Sequence, residues 1–461
     1  MPKRKRNGKS KHLLEKNIFP DSAGIDIGAE LIVAAVPTER NDERPVRSFG
    51  SFTSDLHALR DWLLSHRIKT VAMESTGVYW VVLFGILEDA GIDVCLVNAR
   101  HVKGVPGKKT DVCDAQWLQH LHTAGLLKAS FRPRNEVLVV RNLVRHRDNL
   151  ISDSSRRLQQ IQKCLNEMNL QIHHVFSDLD GVTGMRILQA ILNGERNPEA
   201  LWSLRDHRVR AKKETFLKAM EGNYLDDQLF ILRQHHTAWK QLQELLRTCD
   251  EQIKSSLGAL HDDLDDDEEK GERQPLPPQK KHRILGKNSP QVDIYQHAYQ
   301  SYGVDLSTID GVSSGCLTIL LSELGNRSDI LGNFRNAKAF CAWLGLSPDN
   351  QISGGKVLKS KTKPVANRVA KAFRLCAFGL GNADGEMGQY ARRMKGRLGK
   401  AEGIVAVAHK VARLVYSMIK SGQPYDPQKA FRATDYTLRK KEKTLRKIAK
   451  ELNMTVVPVH A

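Results

Sequence analysis

The first part of the chain, from residue 19 to about 130, alternates between short apolar runs and longer stretches with helical periodicity. The apolar runs predict strands at 22–28, 31–36, 46–52, 70–74 and 93–97. Helical patterns cover 54–66 and 78–90, and a third helix is predicted to begin at 111. The first three strands are close enough for an antiparallel meander, whereas the later strands alternate with helices, as parallel strands require. The pattern predicts a mixed α/β sheet of five strands with flanking helices.

From residue 135 to about 257 the pattern changes to long, charged helices. In the first helix the apolar positions recur at roughly helical spacing, at Leu138, Leu143, Leu150, Leu158, Ile161 and Leu165. A second helical stretch covers 212–257, and the glycine and asparagine breaks between the two are typical of a helical corner. Two long helices without a compact core favour an antiparallel coiled-coil arm that oligomerises or grips nucleic acid. A plain helical bundle is the alternative.

A charged segment then separates the arm from a second folded unit. Residues 261–292 begin acidic, continue through proline-rich sequence and end basic, which is typical of a disordered linker. The acidic run is more easily explained as a solvated spacer than as a metal site, because nothing fixes its geometry. The predicted organisation is a basic arm at 1–18, an α/β domain at 19–134, the helical arm at 135–260, the linker at 261–292, a mainly helical domain at 293–425 and a basic tail at 426–461.

Four carboxylates occupy positions where they can converge in the α/β domain. Asp26 lies in the first strand, Glu74 ends the fourth strand, and Asp111 and Asp114 share one face of the helix that begins at 111. Converging acids repel one another unless a hard cation lies between them, and Mg²⁺ or Mn²⁺ prefers oxygen ligands. Any one of these acids is more simply a turn former or a helix cap. The set, on a five-stranded mixed sheet, is the RNase H-like arrangement.

The charge balance favours a polyanionic partner. The 461 residues include 71 Lys and Arg against 52 Asp and Glu, a formal net charge of +19, and nucleic acid is the commonest partner for such an excess. No stretch has the apolar length of a membrane span, and the basic N-terminus is not followed by the apolar core of a secretory signal. Seven scattered cysteines without a C-x-x-C pair indicate reduced, cytoplasmic thiols and no zinc site. We expect a cytoplasmic protein that is associated with the nucleoid.

The C-terminal domain contains two phosphate-binding candidates and a basic tail. Residues 306–325 resemble a degenerate helix-hairpin-helix, in which Ser313 replaces the second glycine. Ser353 precedes Gly354 and Gly355, and by itself this sequence is simply a turn. Surrounded by basic residues, Ser353 is also a candidate nucleophile. The candidate nucleic-acid contacts are Lys108, Lys109, Lys356, Lys359, Lys361, Lys363, Arg368, Lys371 and Arg374.

Four motifs in this order, "GIDIGAE", "MESTGVYW", "VNARHVKGVPGKKTDVCDAQWL" and "WLGLSPDNQISGGK", resemble those of the DEDD-type insertion-sequence transposases. That family joins a RuvC-like nuclease domain to a C-terminal transposase domain. The resemblance implies that Asp26, Glu74, Asp111 and Asp114 are the metal-binding tetrad. It also implies that Ser353 attacks the DNA backbone.

The resemblance further implies an RNA-guided recombinase. A structured noncoding RNA would pair with donor and target DNA, and a tetramer would exchange strands through a Holliday junction, with acids and serine from different subunits. Base pairing would then supply specificity, which suits a chain with only 6% aromatic residues for base stacking. Two alternatives stay open at this point: a standalone junction resolvase, which needs the acids but not Ser353, and a non-enzymatic nucleic-acid-binding remnant.

Overall fold

The computed structural model describes residues 17–41, 43–75, 77–98, 111–176, 178–262, 276–277, 285–363, 365–431 and 435–456. The chain forms two compact units, Met1–Arg132 and Pro133–Ala461. Within the described residues, no helix is both long and apolar enough to cross a membrane.

A five-stranded sheet forms the middle of the first unit. Its strands are β1 (Ser22–Ile27), β2 (Ile32–Ala35), β3 (Val46–Phe49), β4 (Thr70–Glu74) and β5 (Asp93–Val97), in the order β3-β2-β1-β4-β5. β1, β2 and β3 pair antiparallel, whereas β1–β4 and β4–β5 are parallel. The predicted mixed sheet is confirmed, although the first three strands end earlier than expected. Gly28 closes the first turn by donating its N–H to the Leu31 carbonyl at 2.9 Å, so neither residue continues a strand.

Helices cover both faces of this sheet. Helices α1 (Thr53–Ser65) and α2 (Trp80–Asp89) cover one face, and their side chains share an apolar core with Ile25 and Met73. Helix α3 (Asp111–Thr123) lies on the opposite face, where Ala115 packs against Val33 and Ala35. Because side chains alternate along a strand, each strand supplies apolar groups to both layers. The first unit is therefore a helix–sheet–helix sandwich of the RNase H-like type.

The second unit begins with two long helices that form the predicted arm. These are α4 (Asn135–Glu167) and α8 (Asp226–Asp262). Arg147 contacts Asp250, and seven residues further along α4 the Ser154 hydroxyl accepts a 2.8 Å bond from Gln243, seven residues earlier on α8. Contacts that advance on one helix while they retreat on the other require an antiparallel pair, as the sequence predicted.

The far end of the arm differs from the prediction, because it contains a compact core of its own. Helices α5 (Val182–Leu192), α6 (Pro198–Ser203) and α7 (Lys213–Ala219) fold between the two long helices. The buried core there includes Ile161, Leu165, Ile187, Ile191, Leu201, Phe216 and Leu232. The sequence predicted only a helical corner here, because the three connecting helices are short.

The rest of the second unit is mainly helical, as predicted. Its helices are α9 (Ile294–Tyr302), α10 (Ser314–Leu324), α11 (Arg327–Asn333), α12 (Ala337–Trp343), α13 (Arg368–Gly379), α14 (Glu386–Leu398), α15 (Lys400–Ser421), α16 (Pro427–Phe431) and α17 (Asp435–Glu451). One antiparallel hairpin, β6 (Pro348–Ser353) and β7 (Lys356–Thr362), interrupts them. Aromatic packing of Phe340 against Phe373 and Tyr416 joins α12, α13 and α15.

Buried arginine contacts tie the arm to the sequence that follows it. Arg147 is only 6% exposed; its guanidinium is ion-paired with Asp250 and donates to the carbonyl oxygens of Asn288 and Ser289, the latter at 3.0 Å. Residues 288 and 289, which the sequence assigns to the linker, therefore pack against α4. Removing one partner of such a network leaves the other charge buried and unpaired.

We expect Arg147→Met to destabilise the second unit by about 3–5 kcal/mol, because it leaves the Asp250 carboxylate buried without its counter-charge. Urea unfolding followed by circular dichroism measures the change. Arg156→Met is the matched control: Arg156 lies on the same helix in an exposed pair with Asp153, and its loss should cost roughly 0.5 kcal/mol or less. Equal effects of the two substitutions would contradict this account.

Helix α3 lies directly on β1 at Gly24. A Cβ atom at Gly24 would lie 2.3 Å from the Ala115 carbonyl oxygen and 2.4 Å from the Gln119 amide nitrogen. Gly24→Ala should therefore push α3 away and cost about 1–3 kcal/mol in the unfolding free energy. Gly85→Ala is the control, since nothing lies within 4 Å of its Cβ position; in a helix this change should stabilise by roughly 0.5–1 kcal/mol. A neutral Gly24→Ala would show that α3 is free to shift.

Candidate active site

Asp26 and Glu74 lie on neighbouring parallel strands, at the carboxyl end of the sheet. Ile25 of β1 is registered with Met73 of β4, so the two acids that follow them are neighbours as well, on strands about 4.8 Å apart. Ile25 and Met73 belong to the core on the α1–α2 face. By alternation Asp26 and Glu74 point to the opposite face, which α3 covers.

Polar contacts fix the direction of α3 across this face. At its C-terminal end, the Thr123 hydroxyl lies 2.7 Å from the Ser22 hydroxyl, and His122 Nε2 lies 2.9 Å from the Thr70 hydroxyl. Both contacts are at the beginnings of the strands. The helix therefore runs antiparallel to β1 and β4, and its N-terminal end lies over the carboxyl ends of the strands.

The distances along the helix and the strand match. From Ser22 to Asp26 is four strand residues, or about 13 Å. From Thr123 back to Asp114 is nine helical residues, also about 13 Å. Since Ser22 and Thr123 are in contact, Asp114 lies at the level of Asp26. Asp111 is the first residue of α3, and its side chain lies outside the described part of the chain.

The environment of these acids is half-buried and open on one side. Asp26, Glu74 and Asp114 are each partly exposed. A cavity of about 370 Å³ lies beside Asp26 and is lined by the β1–β2 turn from Ile27 to Leu31 together with Val33. Among the described side chains, which exclude that of Asp111, no three His, Cys, Asp or Glu groups are clustered closely enough to hold a metal ion.

The residues that fasten α3 were not identified from the sequence. Burial lowers the pKa of His122, so the ring is neutral near pH 7 and holds the helix to β4 through its contact with Thr70. The sequence did contain a signal for this contact. Ser22 and Thr70 each begin a strand, and His122 and Thr123 are polar residues at the end of a helix. Gly24, between Ser22 and Asp26, was a further signal that a helix approaches closely.

Ser353 lies at the tip of the β6–β7 hairpin in the second unit. It is the last residue of β6 and is registered with Lys356, the first residue of β7. Gly354 and Gly355 form the two-residue loop with φ values of +56° and +76°. Two consecutive positive φ angles define a type I′ turn, which glycine adopts without strain. The side chain of Ser353 is exposed.

The predicted basic contacts have different environments. Lys356, Lys361, Lys363 and Lys371 are exposed. Lys108, Lys109 and the side chain of Lys359 lie outside the described residues. Arg374 is half-buried, and its Nε has no hydrogen-bond partner among the described residues.

Arg368 is in a different position from the exposed lysines. It is ion-paired with Asp148, and its Nε lies 3.3 Å from Glu323 Oε1. Glu323 also accepts from Arg145 at 2.9 Å. The charge of Arg368 is thus neutralised within the fold, where this side chain joins α13 to α4 and α10.

The helix-hairpin-helix candidate is also engaged within the fold. Its turn leads into α10, as the sequence predicted, and Gly311 has a φ of +86°. The backbone N–H of Ser314, at the start of α10, donates to the Tyr295 hydroxyl at 3.2 Å, and its side chain bonds Ser289 at 2.7 Å. The first amide of the helix therefore already has a protein partner.

Two family models match the chain, in the order of the two site regions. Residues 23–170 match a model described as a transposase, the DEDD domain of the IS110 type, and this match contains all four acids. Residues 305–391 match a model described as a transposase of the IS116/IS110/IS902 family, and this match contains Ser353. None of the curated proteins gives a significant match. The two matches together assign the chain to the IS110-type insertion-sequence transposases.

Proposed function

We propose that this transposase cuts and rejoins DNA with a carboxylate-held divalent cation and a serine nucleophile. The observation that carries the proposal is the placement of Asp26 and Glu74 side by side on parallel strands, with Asp114 at the same level on α3. Asp26, Glu74 and Asp114 are farther apart than three ligands of one ion. Drawn together around a cation with Asp111, which begins the same helix, they would supply an all-oxygen donor set of the kind that Mg²⁺ prefers, with Mn²⁺ as a substitute. Such a cation supplies charge stabilisation for phosphoryl displacement.

In this proposal Ser353 carries the covalent step. Its Oγ attacks a backbone phosphorus, so an Oγ–P bond forms while the bond from phosphorus to one DNA oxygen breaks. The serine proton is lost, and the departing DNA oxygen is protonated to a hydroxyl. Rejoining reverses the step, when a DNA hydroxyl attacks the phosphoserine. The bond energy is conserved in the adduct, so no nucleotide hydrolysis is needed.

We also propose how target choice and assembly are organised. A structured guide RNA pairs with donor and target DNA and supplies the sequence specificity. The protein then needs only to bind the nucleic-acid backbones, which suits its 71 basic against 52 acidic residues. Two to four copies assemble, and the acids and the serine of one reaction come from different copies. The support for this is that the acids and Ser353 belong to different compact units of the chain, together with the family resemblance. The protein acts where the element's DNA is, in the cytoplasm.

Asp26→Asn should reduce DNA cleavage at least about 100-fold, because it removes a charged ligand oxygen. The measurement is nicking of a plasmid that carries the element ends, with Mn²⁺ affinity measured separately by calorimetry. Glu30→Gln is the control, since Glu30 is an exposed acid beside the same cavity. Wild-type cleavage by Asp26→Asn, or equal Mn²⁺ affinity of the two proteins, would remove Asp26 from the site.

Ser353→Ala should abolish the covalent protein–DNA adduct and strand exchange while leaving the fold intact, since the exposed side chain packs against no core. Denaturing gels after reaction with labelled DNA, followed by peptide mapping, detect the adduct. Mixing Ser353→Ala with Asp26→Asn should restore part of the activity if the two groups act from different copies. Cleavage that persists without Ser353 would instead favour a junction resolvase that needs only the acids.

A further inference from the structure

The β6–β7 hairpin stands apart from the hydrophobic core of its unit. Every described side chain from 348 to 361 is exposed, including Ile352 at 62% and Leu358 at 70%. A two-stranded hairpin without a packed face is only marginally stable in water. A persistent hairpin of this kind is suited to lie against another molecule.

One face of the hairpin contains Ser353 and lysines. Directly opposed residues of an antiparallel pair point to the same face. Ser353 is opposed to Lys356, and Asp349 is opposed to Lys361. Asp349 and Ser353 are four residues apart on β6, so they share a face as well. Lys363 is on this face too, because its Nζ lies 3.7 Å from Asp349 Oδ1.

This common face depends on a β-bulge. Lys356 and Lys361 are five residues apart, and in a regular strand an odd separation places two side chains on opposite faces. The register changes between Gln351, opposed to 359, and Ile352, opposed to 357, so that Leu358 is the extra residue. A bulge adds one residue to one strand without shifting its partner. It brings Lys356 into phase with Lys361 and Lys363.

The opposite face has no charge among its described side chains. Asn350 is opposed to Ser360, and Pro348 is opposed to Thr362. Ile352 lies on this face as well, since it alternates with Ser353. Among the described side chains, the face of Ser353 therefore has three lysines against the single carboxylate of Asp349, whereas the other face is neutral.

We propose that the cationic face of the hairpin binds the phosphate backbone of duplex DNA and thereby brings a phosphate to Ser353. Asp349 lies four residues from Ser353, so Lys361 is about 13 Å from the tip, and Lys363 lies about 7 Å further along. Duplex DNA presents one phosphate per roughly 3.4 Å of axis on each strand, so these three lysines are spaced by about four and then about two phosphates of a backbone. A two-stranded ribbon also fits the width of the major groove. This inference deepens the proposed function, since it concerns the DNA contacts of the same serine.

The test exchanges neighbouring residues so that charge moves to the other face while composition stays constant. Ser360→Lys combined with Lys361→Ser keeps the net charge and places the cation on the neutral face. The exchange of Thr362→Lys with Lys363→Thr repeats the test independently. The full-length proteins are titrated with a labelled duplex oligonucleotide across a salt series, and circular dichroism melting checks that the fold is kept.

Each exchange should remove one phosphate contact. The slope of log affinity against log salt should become shallower by about 0.9, which corresponds to roughly eightfold weaker binding near 0.1 M salt. Ser360→Lys alone should leave the slope unchanged, although it adds a positive charge. Wild-type slopes for both exchanged proteins would overturn the proposal. A loss seen only with an RNA duplex would overturn it as well, because it would assign this face to RNA.

The salt-slope experiment and the adduct experiment test different claims, so one can fail without the other. Ser353→Ala should keep the wild-type salt slope while it loses the adduct. If the adduct maps to another residue but the exchanged proteins still bind weakly, the serine mechanism fails and the DNA-binding face stands. If the adduct maps to Ser353 and the exchanged proteins bind normally, only the DNA-binding face is wrong.

Discussion

The close contact between α3 and β1 at Gly24 is the constraint on which the acid site depends. Without a side chain at this position, the backbone of the helix can lie directly on the strand, where any Cβ would overlap Ala115 and Gln119. The hydroxyl contacts at Ser22 and Thr70 then set how far along the strands the helix sits. These contacts, together with the rise per residue of a helix and of a strand, determine how far along the sheet Asp114 lies relative to Asp26. A displacement of the helix by one turn would move its acid by about 5 Å.

The two halves of the candidate chemistry have contrasting mechanical settings. Asp26 and Glu74 are on central strands of a sheet that is covered on both faces, so their spacing is fixed by backbone hydrogen bonds and by core packing. Ser353 is on an exposed two-stranded hairpin. A rigid charged site in one unit and an exposed nucleophile in the other suit a reaction on a large polymer, because the hairpin can follow a backbone while the acids keep their geometry.

Charged side chains have structural roles in the arm that its surface-like sequence does not reveal. Arg147 is enclosed between the two long helices and the segment at 288–289. Glu323 receives arginines from α4 and α13, and Arg141 donates to its backbone carbonyl at 2.7 Å. Such groups stabilise only when each is satisfied, so they link the arm to the transposase helices in one specific register. Several arginines are thus used inside the fold and are not available to nucleic acid, although each ion pair leaves the net charge of the chain unchanged.

The sequence by itself determined the features that depend on neighbouring residues. Alternation and helical periodicity identified the five strands, the long helices and the mixed sheet, because each pattern records which side of a local element is buried. Paired glycines after Ser353 identified the turn, since only glycine adopts two positive φ angles easily. Tertiary structure alone decided which distant groups meet. The position of α3 along β1, the core at the tip of the arm and the ion pairs of Arg368 each depend on contacts between segments far apart in the chain. Local propensity holds no information on such contacts, because their energies arise only when the elements pack.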